Sequence, residues 1–465
     1  MASSPSARSA LSLWHDTLPP GDLDSLRPRL PGGRDYDVVV VGAGFTGLWS
    51  AYYLAQRDPS LRIAVLEREF AGFGASGRNG GWVSGLLPMS YEQMAAESSR
   101  ESALGMQQAA NQTVDEIARV VDAEGIDAGF HKGGYLRFAT SALQAQRIRA
   151  DIAHSRQWNQ SETDVRWLDR SEARAKLAAD GVHGAAYTPH CAAVHPARLA
   201  RGLAAVVERL GVDVFEGTPV TSINARIVRT PFGDVRADHV VRATEAYTSE
   251  FDGHRREVLP AYSVIVATAP LPPSFWDEVN WSGRETFNDD RRYLIYAQRT
   301  ADDRIAIGGR GAPYHFGSTI KSAYERVDHA FASVHRSLVA FFPSLADVEI
   351  THRWGGVLGL SRDWFPSVRY SPATGLVCAG GYCGDGVALT NLAGRTVADL
   401  VTGKDSDLVH LPWVGHTSPS WEPEPLRWIG VNAIAKLGAV ADRAEARTGR
   451  PARLSSAVFD HFAAH

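Results

Sequence analysis

The stretch Asp37-Val-Val-Val-Val41-Gly42-Ala-Gly44-Phe-Thr-Gly47 decides the fold of this 465-residue chain. Its four valines form a short β-branched run, as a strand that is buried on both faces requires. The glycines then follow the spacing G-x-G-x-x-G. Gly42 permits a tight turn, Gly44 lets backbone approach a pyrophosphate, and Gly47 lets the next helix pack closely on the strand. We therefore predict a strand, a turn and a helix over roughly residues 45–56, whose N-terminal N–H groups favour phosphate.

A second apolar run extends this pattern. Arg62-Ile-Ala-Val-Leu66 reads as a strand and ends at Glu67, twenty residues beyond Gly47. An acid at this place accepts hydrogen bonds from the ribose hydroxyls of an adenosine. Strand, glycines, helix, strand and acid occur in register, so the sequence predicts a dinucleotide-binding unit.

The bulk composition excludes several classes of function. The chain is 44% hydrophobic and 22% charged, which is ordinary for a globular protein. Its formal net charge of −4 gives no basic field for nucleic acid. There is no uninterrupted apolar run long enough to span a bilayer, and the N-terminus lacks the apolar core of a signal peptide. Three cysteines suggest neither a disulfide framework nor a zinc site, so we expect no metal and a cytoplasmic location.

The order of predicted elements indicates an α/β fold with an insertion. Residues 258–343 are rich in strands and include a hairpin around Ala301-Asp-Asp303, whereas residues 375–401 return to a strand–turn–helix pattern. We expect a tail and lead-in over 1–34, with residues 1–12 disordered. The predicted nucleotide-binding domain covers 35–100, 170–250 and 350–402, the substrate domain 101–169 and 251–349, and a C-terminal extension with a helix 403–465.

Further glycine-rich segments resemble the FAD-dependent glycine oxidase and D-amino-acid oxidase superfamily. Gly74-Ala-Ser-Gly-Arg-Asn-Gly-Gly81 resembles its second pyrophosphate and ribityl loop, and Pro219-Val220 its adenine-binding segment. Ala243-Thr-Glu-Ala-Tyr-Thr248 is similar to its strand end beside the pyrophosphate, and Gly380-Gly-Tyr-Cys-Gly-Asp-Gly-Val387 to its flavin-ring loop. With Trp354-Gly-Gly356, the string Ser76–Gly81 is most similar to the gamma-glutamylputrescine oxidase-like branch.

The resemblance, which runs from about residue 36 to 402, implies a Rossmann-type FAD-binding domain with an inserted antiparallel β-sheet plus helices, of the glutathione-reductase-like or D-amino-acid oxidase type. Relatives attach flavin through a cysteine in the segment Trp354–Leu360 or through a histidine in Ser76–Asn79, and neither ligand occurs here. We therefore predict noncovalent FAD. The fingerprint and these segments together predict cofactor contacts from Gly42, Gly44, Phe45, Thr46, Gly47, Glu67, Arg68, Gly74, Ala75, Ser76, Arg78, Asn79, Gly80, Gly81, Val220, Thr244, Gly381, Gly384, Asp385, Gly386 and Val387.

Two of these side chains have alternative interpretations. Asp385 precedes a predicted helix, and we expect it to cap that helix rather than to act in catalysis. The positive end of the same helix would favour an anionic reduced flavin. Arg78 faces either the phosphates or flavin, or it forms a surface salt bridge.

The resemblance implies oxidation of a CH–NH bond by hydride transfer to flavin N5, followed by hydrolysis of the imine. No side-chain base is identified. The pocket candidates are aromatic residues suited to cation–π contact with an amine, and two arginines suited to a carboxylate: Tyr262, Tyr293, Tyr296, Trp354, Tyr382, Arg310 and Arg353.

The electron acceptor is left open by the sequence. Sarcosine-oxidase relatives carry an oxygen-activating lysine on the strand that here reads Arg304-Ile-Ala-Ile-Gly308, and no lysine occurs in it. An oxidase that releases hydrogen peroxide is our expectation, and an amine dehydrogenase is the alternative. A flavin monooxygenase and a non-catalytic FAD-binding protein are weaker alternatives. The substrate and the oligomeric state stay open.

Overall fold

The structure, a computed structural model, describes residues 4–310 and 313–452. The α-helices of this part of the chain are α1 (Pro5–Ser9), α2 (Leu13–Asp16), α3 (Phe45–Arg57), α4 (Tyr91–Glu97), α5 (Arg100–Ala123), α6 (Ala142–Gln157), α7 (Arg170–Lys176), α8 (Pro196–Arg209), α9 (Pro273–Val279), α10 (Asp328–Phe341), α11 (Gly386–Thr402) and α12 (Leu426–Thr448). The strands are β1 (Arg34–Val41), β2 (Ile63–Leu66), β3 (Trp82–Ser84), β4 (Tyr135–Ala139), β5 (Arg166–Leu168), β6 (Gly184–Thr188), β7 (Cys191–Ala193), β8 (Asp213–Phe215), β9 (Ser222–Asn224), β10 (Ile227–Thr230), β11 (Gly233–Arg242), β12 (Leu259–Thr268), β13 (Thr286–Asp289), β14 (Ile295–Arg299), β15 (Ile305–Arg310), β16 (Ile350–Leu360), β17 (Ser367–Ser371) and β18 (Leu376–Gly380).

The first sheet has the order β17-β18-β11-β1-β2-β8. Strand β1 lies at its centre and pairs in parallel with β11 on one side and β2 on the other. The four valines, Val38 to Val41, are at most 3% exposed, because helices α3 and α11 cover one face of the sheet and a smaller apolar cluster covers the other. The strand, turn and helix predicted around Gly42, Gly44 and Gly47 are confirmed.

The second sheet has the order β16-β12-β15-β14-β13-β4-β6-β5 and is mostly antiparallel. Strands β14 and β15 form the predicted hairpin, with Ala297 opposite Ile307. Helix α10 lies on this sheet and buries Phe331, Val334, Leu338 and Phe341 against it. The α/β fold with an inserted, largely antiparallel sheet is confirmed.

Strand pairing differs from the predicted domain bounds at several places. Strands β6 and β16 lie within the ranges predicted for the nucleotide-binding domain, yet both belong to the second sheet. Helix α5 falls in the predicted substrate domain but packs in the same apolar core as α3 and α11. Residues 91–123 contain two helices, α4 and α5, and Ser99 caps the second one. The sheet or core that each element joins depends on contacts between segments that are distant in the sequence. A local sequence pattern does not contain those contacts.

Residues 4–12 are ordered, contrary to the expectation of a disordered tail over residues 1–12, of which residues 1–3 lie outside the described part of the chain. Residues 4–12 include helix α1, and helix α2 follows directly. Leu13 and Trp14 are 1% and 2% exposed and pack against Phe70 and Ile265 in one cluster. The lead-in therefore belongs to the core near the interface of the two sheets.

The helix predicted within the C-terminal extension is α12, which begins at Leu426. Among its apolar residues, Ile434 packs on the protein body, whereas Leu426, Ile429 and Val440 are exposed. Within the described residues, no helix is both long and apolar enough to cross a membrane.

Candidate active site

A cavity of about 1180 Å³ runs between the two sheets. One end is formed by Gly42 and Glu67, at the carboxyl ends of β1 and β2. Tyr382 lines the cavity as well, and so do Arg147 and Tyr187, the latter on strand β6 of the second sheet. Ligands of open α/β sheets bind outside the carboxyl ends of the strands, so the cavity begins where a dinucleotide is expected.

The first turn has the geometry that its glycines predict. Gly42 has a φ of +105°, and a Cβ there would lie 2.6 Å from the carbonyl oxygen of Ala243. A Cβ at Gly47 would lie 1.9 Å from the carbonyl oxygen of Gly42, so this glycine permits α3 to contact the turn. Helix α3 starts at Phe45 after Gly44, which has no side chain to cap it, and its N-terminus meets the cavity. Such an end favours a phosphate.

Glu67 is held in place by two backbone groups. Its Oε2 accepts a hydrogen bond from the N–H of Ala43 at 2.9 Å, and its Oε1 accepts one from Glu69 at 2.9 Å. Burial raises the pKa of this carboxyl above its usual value. The remaining lone pairs lie at the cavity wall, where ribose hydroxyls are expected.

The second glycine-rich loop is tied to the first turn and to the core. Ser76 Oγ accepts a hydrogen bond from the N–H of Phe45 at 2.8 Å. Asn79 Oδ1 accepts from the N–H of Gly81 at 2.7 Å, so this side chain shapes its own loop. Two indoles hold the loop from behind: Trp14 Nε1 donates to the carbonyl of Asn79 at 2.8 Å, and Trp354 Nε1 donates to that of Arg78 at 2.9 Å. Trp354 thus supports the loop, and its prediction as a pocket residue is wrong.

Arg78 has an ion-pair partner that the sequence did not reveal. Its side chain is 2% exposed, and its Nη1 lies 2.8 Å from both carboxylate oxygens of Glu325. Burial raises the pKa of Glu325, and Arg78 opposes this effect. Arg78 therefore does form a salt bridge, but its expected place at the surface is wrong, because the pair is buried and Arg78 also contributes to the cavity wall.

The predicted flavin loop contains a hydroxyl pair and a buried thiol. Tyr382 OH and Thr46 Oγ1 lie 3.1 Å apart, which joins this loop to helix α3. Cys383 is buried, its Sγ lies 3.2 Å from the carbonyl oxygen of Gly381, and burial raises its pKa to about 12. A thiol with so high a pKa is protonated at neutral pH and is a poor nucleophile.

The prediction that the side chain of Asp385 caps helix α11 is wrong. Asp385 holds the N-cap position of α11, but among the described residues its side chain makes no capping hydrogen bond to that helix, and it lies at the cavity wall instead. Helices α3 and α11 both direct their N-termini at one cavity, and neither N-cap residue makes a side-chain capping hydrogen bond, although Ser76 Oγ accepts from the first N–H of α3. This arrangement fits a ligand with a pyrophosphate at one helix and an electron-rich ring at the other.

Glu245 is a cavity residue that the sequence interpretation quoted but did not single out. It has a positive φ of 45°, and its Oε2 accepts hydrogen bonds from the N–H groups of Ala246 and Gly359, the latter at 2.7 Å. Burial raises its pKa to about 7. An acid that directly follows a central parallel strand was the available signal, since such strand ends face the ligand.

Three of the predicted tyrosines, Tyr262, Tyr296 and Tyr382, line the cavity. Tyr296 OH lies 2.6 Å from Ser263 Oγ, and its ring packs so close to Gly80 that a Cβ there would lie 2.7 Å from the ring. This contact places Tyr296 beside the second glycine-rich loop. Tyr262 accepts a hydrogen bond from the N–H of Lys321 at 3.2 Å, and burial raises its pKa to about 12.

The two arginine candidates have different outcomes. Arg353 is exposed on β16, because the neighbouring Trp354 turns inward and side chains alternate along a strand. Its prediction as a carboxylate clamp is wrong. Arg310 ends strand β15, opposite Ser263, but its side chain is outside the described residues, so its role stays a prediction.

Most residues predicted to contact the cofactor lie at this cavity. Gly47, Gly81 and Gly381 lie behind its wall, where each permits a close backbone approach or a turn. The remaining ones line it: Gly42, Gly44, Phe45, Thr46, Glu67, Arg68, Gly74, Ala75, Ser76, Arg78, Asn79, Gly80, Val220, Thr244, Gly384, Asp385, Gly386 and Val387. Direct contact with FAD stays a prediction for each of them.

The chain belongs to the FAD-dependent oxidoreductase family, whose sequence model matches residues 37–400. It is 30% identical to the probable oxidoreductase OrdL of Haemophilus influenzae, over 82% of this chain and 86% of that protein. It is 29% identical to the gamma-glutamylputrescine oxidoreductase of Escherichia coli, over 82% of this chain and 88% of that protein.

The fold is also that of a solved flavoenzyme. The crystal structure of glycine oxidase from Geobacillus kaustophilus superposes with a TM-score of 0.69, covering 83% of this chain and 100% of that chain at 24% identity. The family places the protein among FAD enzymes, so the predicted cofactor is confirmed, and the two helix ends, Glu67 and the glycine turns are suited to hold it.

Proposed function

We propose that this protein oxidises the CH–NH bond of an amine or amino acid to an imine, which water then hydrolyses. The observation that carries the proposal is the continuity of the cavity, which is lined both by the turn at Gly42 and Gly44 and by the aromatic side chains of Tyr382, Tyr262 and Tyr296. A dinucleotide held at the turn would extend toward the part of the cavity that these aromatic side chains line. The names of the relatives, a gamma-glutamylputrescine oxidoreductase and glycine oxidases, support an amine or amino acid as the substrate.

FAD supplies the two-electron acceptor that takes a hydride from the substrate carbon. The protein's own contribution is positioning. The hydroxyl pairs Tyr296–Ser263 and Tyr382–Thr46 fix two aromatic rings, and these rings orient the amine and exclude water. The N-terminus of α11 favours negative charge beside Asp385 and Gly386. The substrate nitrogen loses a proton as its carbon loses the hydride, and our proposal needs no side-chain base for this step.

We further propose that molecular oxygen is the final acceptor, with hydrogen peroxide as the product. A dehydrogenase with another acceptor is the second candidate, because the strand Arg304–Gly308 carries no lysine. The three buried free thiols support a reducing compartment, and we propose the cytoplasm.

An anaerobic screen tests the reaction. The purified yellow protein is mixed without oxygen with amines, diamines, D- and L-amino acids and N-methyl amino acids, and the loss of flavin absorbance is recorded. We expect at least one compound to bleach the flavin, while its N-acetyl derivative, which lacks a basic nitrogen, does not. If dithionite bleaches the flavin and no member of the panel does, the proposed oxidation is wrong.

A second measurement separates the two acceptors. The reduced enzyme is mixed with air, and both reoxidation and peroxide are followed. Fast return of the yellow colour with stoichiometric peroxide supports an oxidase. Reoxidation that is slow in air but fast with a quinone or dye identifies a dehydrogenase.

A further inference from the structure

Helix α12 lies outside the region that matches the family, which ends at residue 400, yet it contributes to the cavity wall. Val431, Ile434 and Ala435 line the cavity. Ile434 packs in one apolar cluster with Trp364 and Cys383. Since Cys383 belongs to the predicted flavin loop, this part of α12 lies next to the reacting end of the cavity.

The start of α12 is fixed to loops that flank strands β12 and β15. Glu424 Oε1 accepts hydrogen bonds from Tyr314 OH at 2.7 Å and from the N–H of Gly317 at 2.9 Å. The buried Arg427 donates to the carbonyl of Arg255 at 3.1 Å. Glutamate and arginine also pair with each other at 3.1 Å, so both charges are satisfied.

The last turns of α12 are fixed by charge. Asp442 accepts hydrogen bonds from the N–H groups of Arg292 at 3.1 Å and Tyr293 at 2.9 Å. Glu445 pairs with the guanidinium groups of Arg292 at 3.1 Å and Arg147 at 3.3 Å. These side chains are about one-tenth exposed, apart from Arg147 at 30%. A helix held at both ends is a fixed wall of the cavity rather than a mobile cover.

The wall that α12 offers is apolar. Val431, Ile434 and Ala435 present only hydrocarbon to the cavity, and Leu360 and Trp364 continue this surface. Arg147 and Arg292 also line the cavity, and both are engaged with carboxylates of this helix. A hydrocarbon chain gains free energy on such a surface, whereas a second charged group would lose hydration there.

We propose that α12 determines substrate choice by receiving the hydrocarbon substituent of the amine on Val431, Ile434 and Ala435. The substrate class is then an amine or amino acid with an alkyl or aryl side chain, rather than a compact or dicationic one. This inference rests on the proposed function, but binding of unreactive probes tests it separately from turnover.

The experiment measures equilibrium binding of straight-chain alkylamines, from propylamine to octylamine, to the FAD-loaded enzyme without oxygen, through the perturbation of the flavin spectrum. The α,ω-diaminoalkanes of equal length form the polar comparison. We expect the dissociation constant of the monoamines to fall about fourfold for each methylene that reaches the wall. The dissociation constant of the diamines should not fall in this way as their chains lengthen. Should a monoamine reduce the flavin, the same increments are read from its KM.

Two substitutions and one control locate the effect. Ile434→Asn should flatten the dependence on chain length, and Ala435→Phe should weaken binding of the longest chains at least tenfold while sparing propylamine. Ile429 is 54% exposed on the same helix, so Ile429→Asn should leave every dissociation constant within twofold of the wild-type value. FAD content and melting temperature are measured for each variant, so that Ala435→Phe decides the question if Ile434→Asn does not fold.

The inference is overturned if monoamine affinity does not depend on chain length, if diamines bind as tightly as monoamines, or if folded Ile434→Asn and Ala435→Phe keep the wild-type increments. A screen in which no amine reduces the flavin would sink the proposed reaction, yet a dependence on chain length in these binding measurements would still support the wall.

Discussion

The carboxylate of Glu245 accepts a hydrogen bond from the N–H of Gly359 at 2.7 Å. This contact connects the segment after β11, in the first sheet, with the end of β16, in the second. It places a buried acid at the cavity, directly between the two halves of the proposed site.

The acid makes stability depend on pH in a defined direction. Burial raises the pKa of Glu245 from 4.5 to about 7, so the folded apoprotein binds a proton there that the unfolded chain has already released. The stabilisation that the protonated carboxyl gives the folded state is fully present below pH 4.5 and is lost as the pH rises through about 7. We expect the free energy of unfolding of the wild type to fall relative to Glu245→Gln across this window, by at most about 3 kcal/mol.

Urea unfolding of both apoproteins at several pH values measures this difference. Glu278→Gln, at an exposed position on α9, is the matched control and should follow the wild type at every pH. A constant difference between the wild type and Glu245→Gln from pH 4.5 to 8 would contradict the assignment.

The buried ion pair Arg78–Glu325 should be costly to break from one side. Arg78→Met leaves the carboxylate of Glu325 without its cation, and we expect the apoprotein to lose about 2–3 kcal/mol of stability. The double variant Arg78→Met/Glu325→Gln should recover part of this loss, which a double-mutant cycle measures by urea unfolding.

Arg62→Met removes an exposed pair with Asp37 and serves as the control, for which a change below about 1 kcal/mol is expected. Equal effects of Arg78→Met and Arg62→Met would show that the first pair contributes no more than a surface contact.

Gly47→Ala should abolish retention of FAD. The added Cβ would lie 1.9 Å from the carbonyl oxygen of Gly42 and 3.0 Å from Val40 Cγ1, so the turn must shift away from its helix. We expect a folded protein that is colourless after gel filtration, with the affinity for FAD lowered at least tenfold. Calorimetric titration of the apoprotein with FAD gives this number.

Gly430→Ala is the matched control on helix α12, where a Cβ would meet open space. It should retain the yellow colour and gain stability, by up to about 1 kcal/mol, because alanine restricts the unfolded chain. Wild-type FAD affinity in Gly47→Ala would remove this turn from the proposed cofactor site.

Acid should release the flavin from the protein. Cys383, the cysteine of the predicted flavin loop, is buried, and its raised pKa keeps it a thiol. We expect all yellow colour in the supernatant after precipitation with trichloroacetic acid, for the wild type and for Cys383→Ala alike. Colour that stays in the wild-type pellet and leaves it in Cys383→Ala would identify a covalent bond to this sulfur.

The local parts of the site could be predicted from the sequence because they depend on near neighbours. The turn at Gly42 requires a positive φ, the four valines require burial on both faces, and the hairpin of β14 and β15 follows from alternation around a polar turn. Each of these requirements is met within a dozen residues, so the pattern and the structure agree.

Partners that are distant in the sequence were decided by the tertiary structure. Glu325 lies 247 residues from Arg78, and Trp14 lies 65 residues from Asn79, so no local spacing indicates either contact. Because side chains alternate along a strand, Arg353 points outward and Trp354 points inward. Which of the two is buried depends on which face of β16 packs against the core. The chain alone determined the nucleotide turn and its glycines, because backbone sterics act locally. Only the tertiary structure decided which charged groups form ion pairs and which helix lines the substrate end of the cavity. These contacts gain free energy only when segments that are distant in the sequence pack together and exclude water.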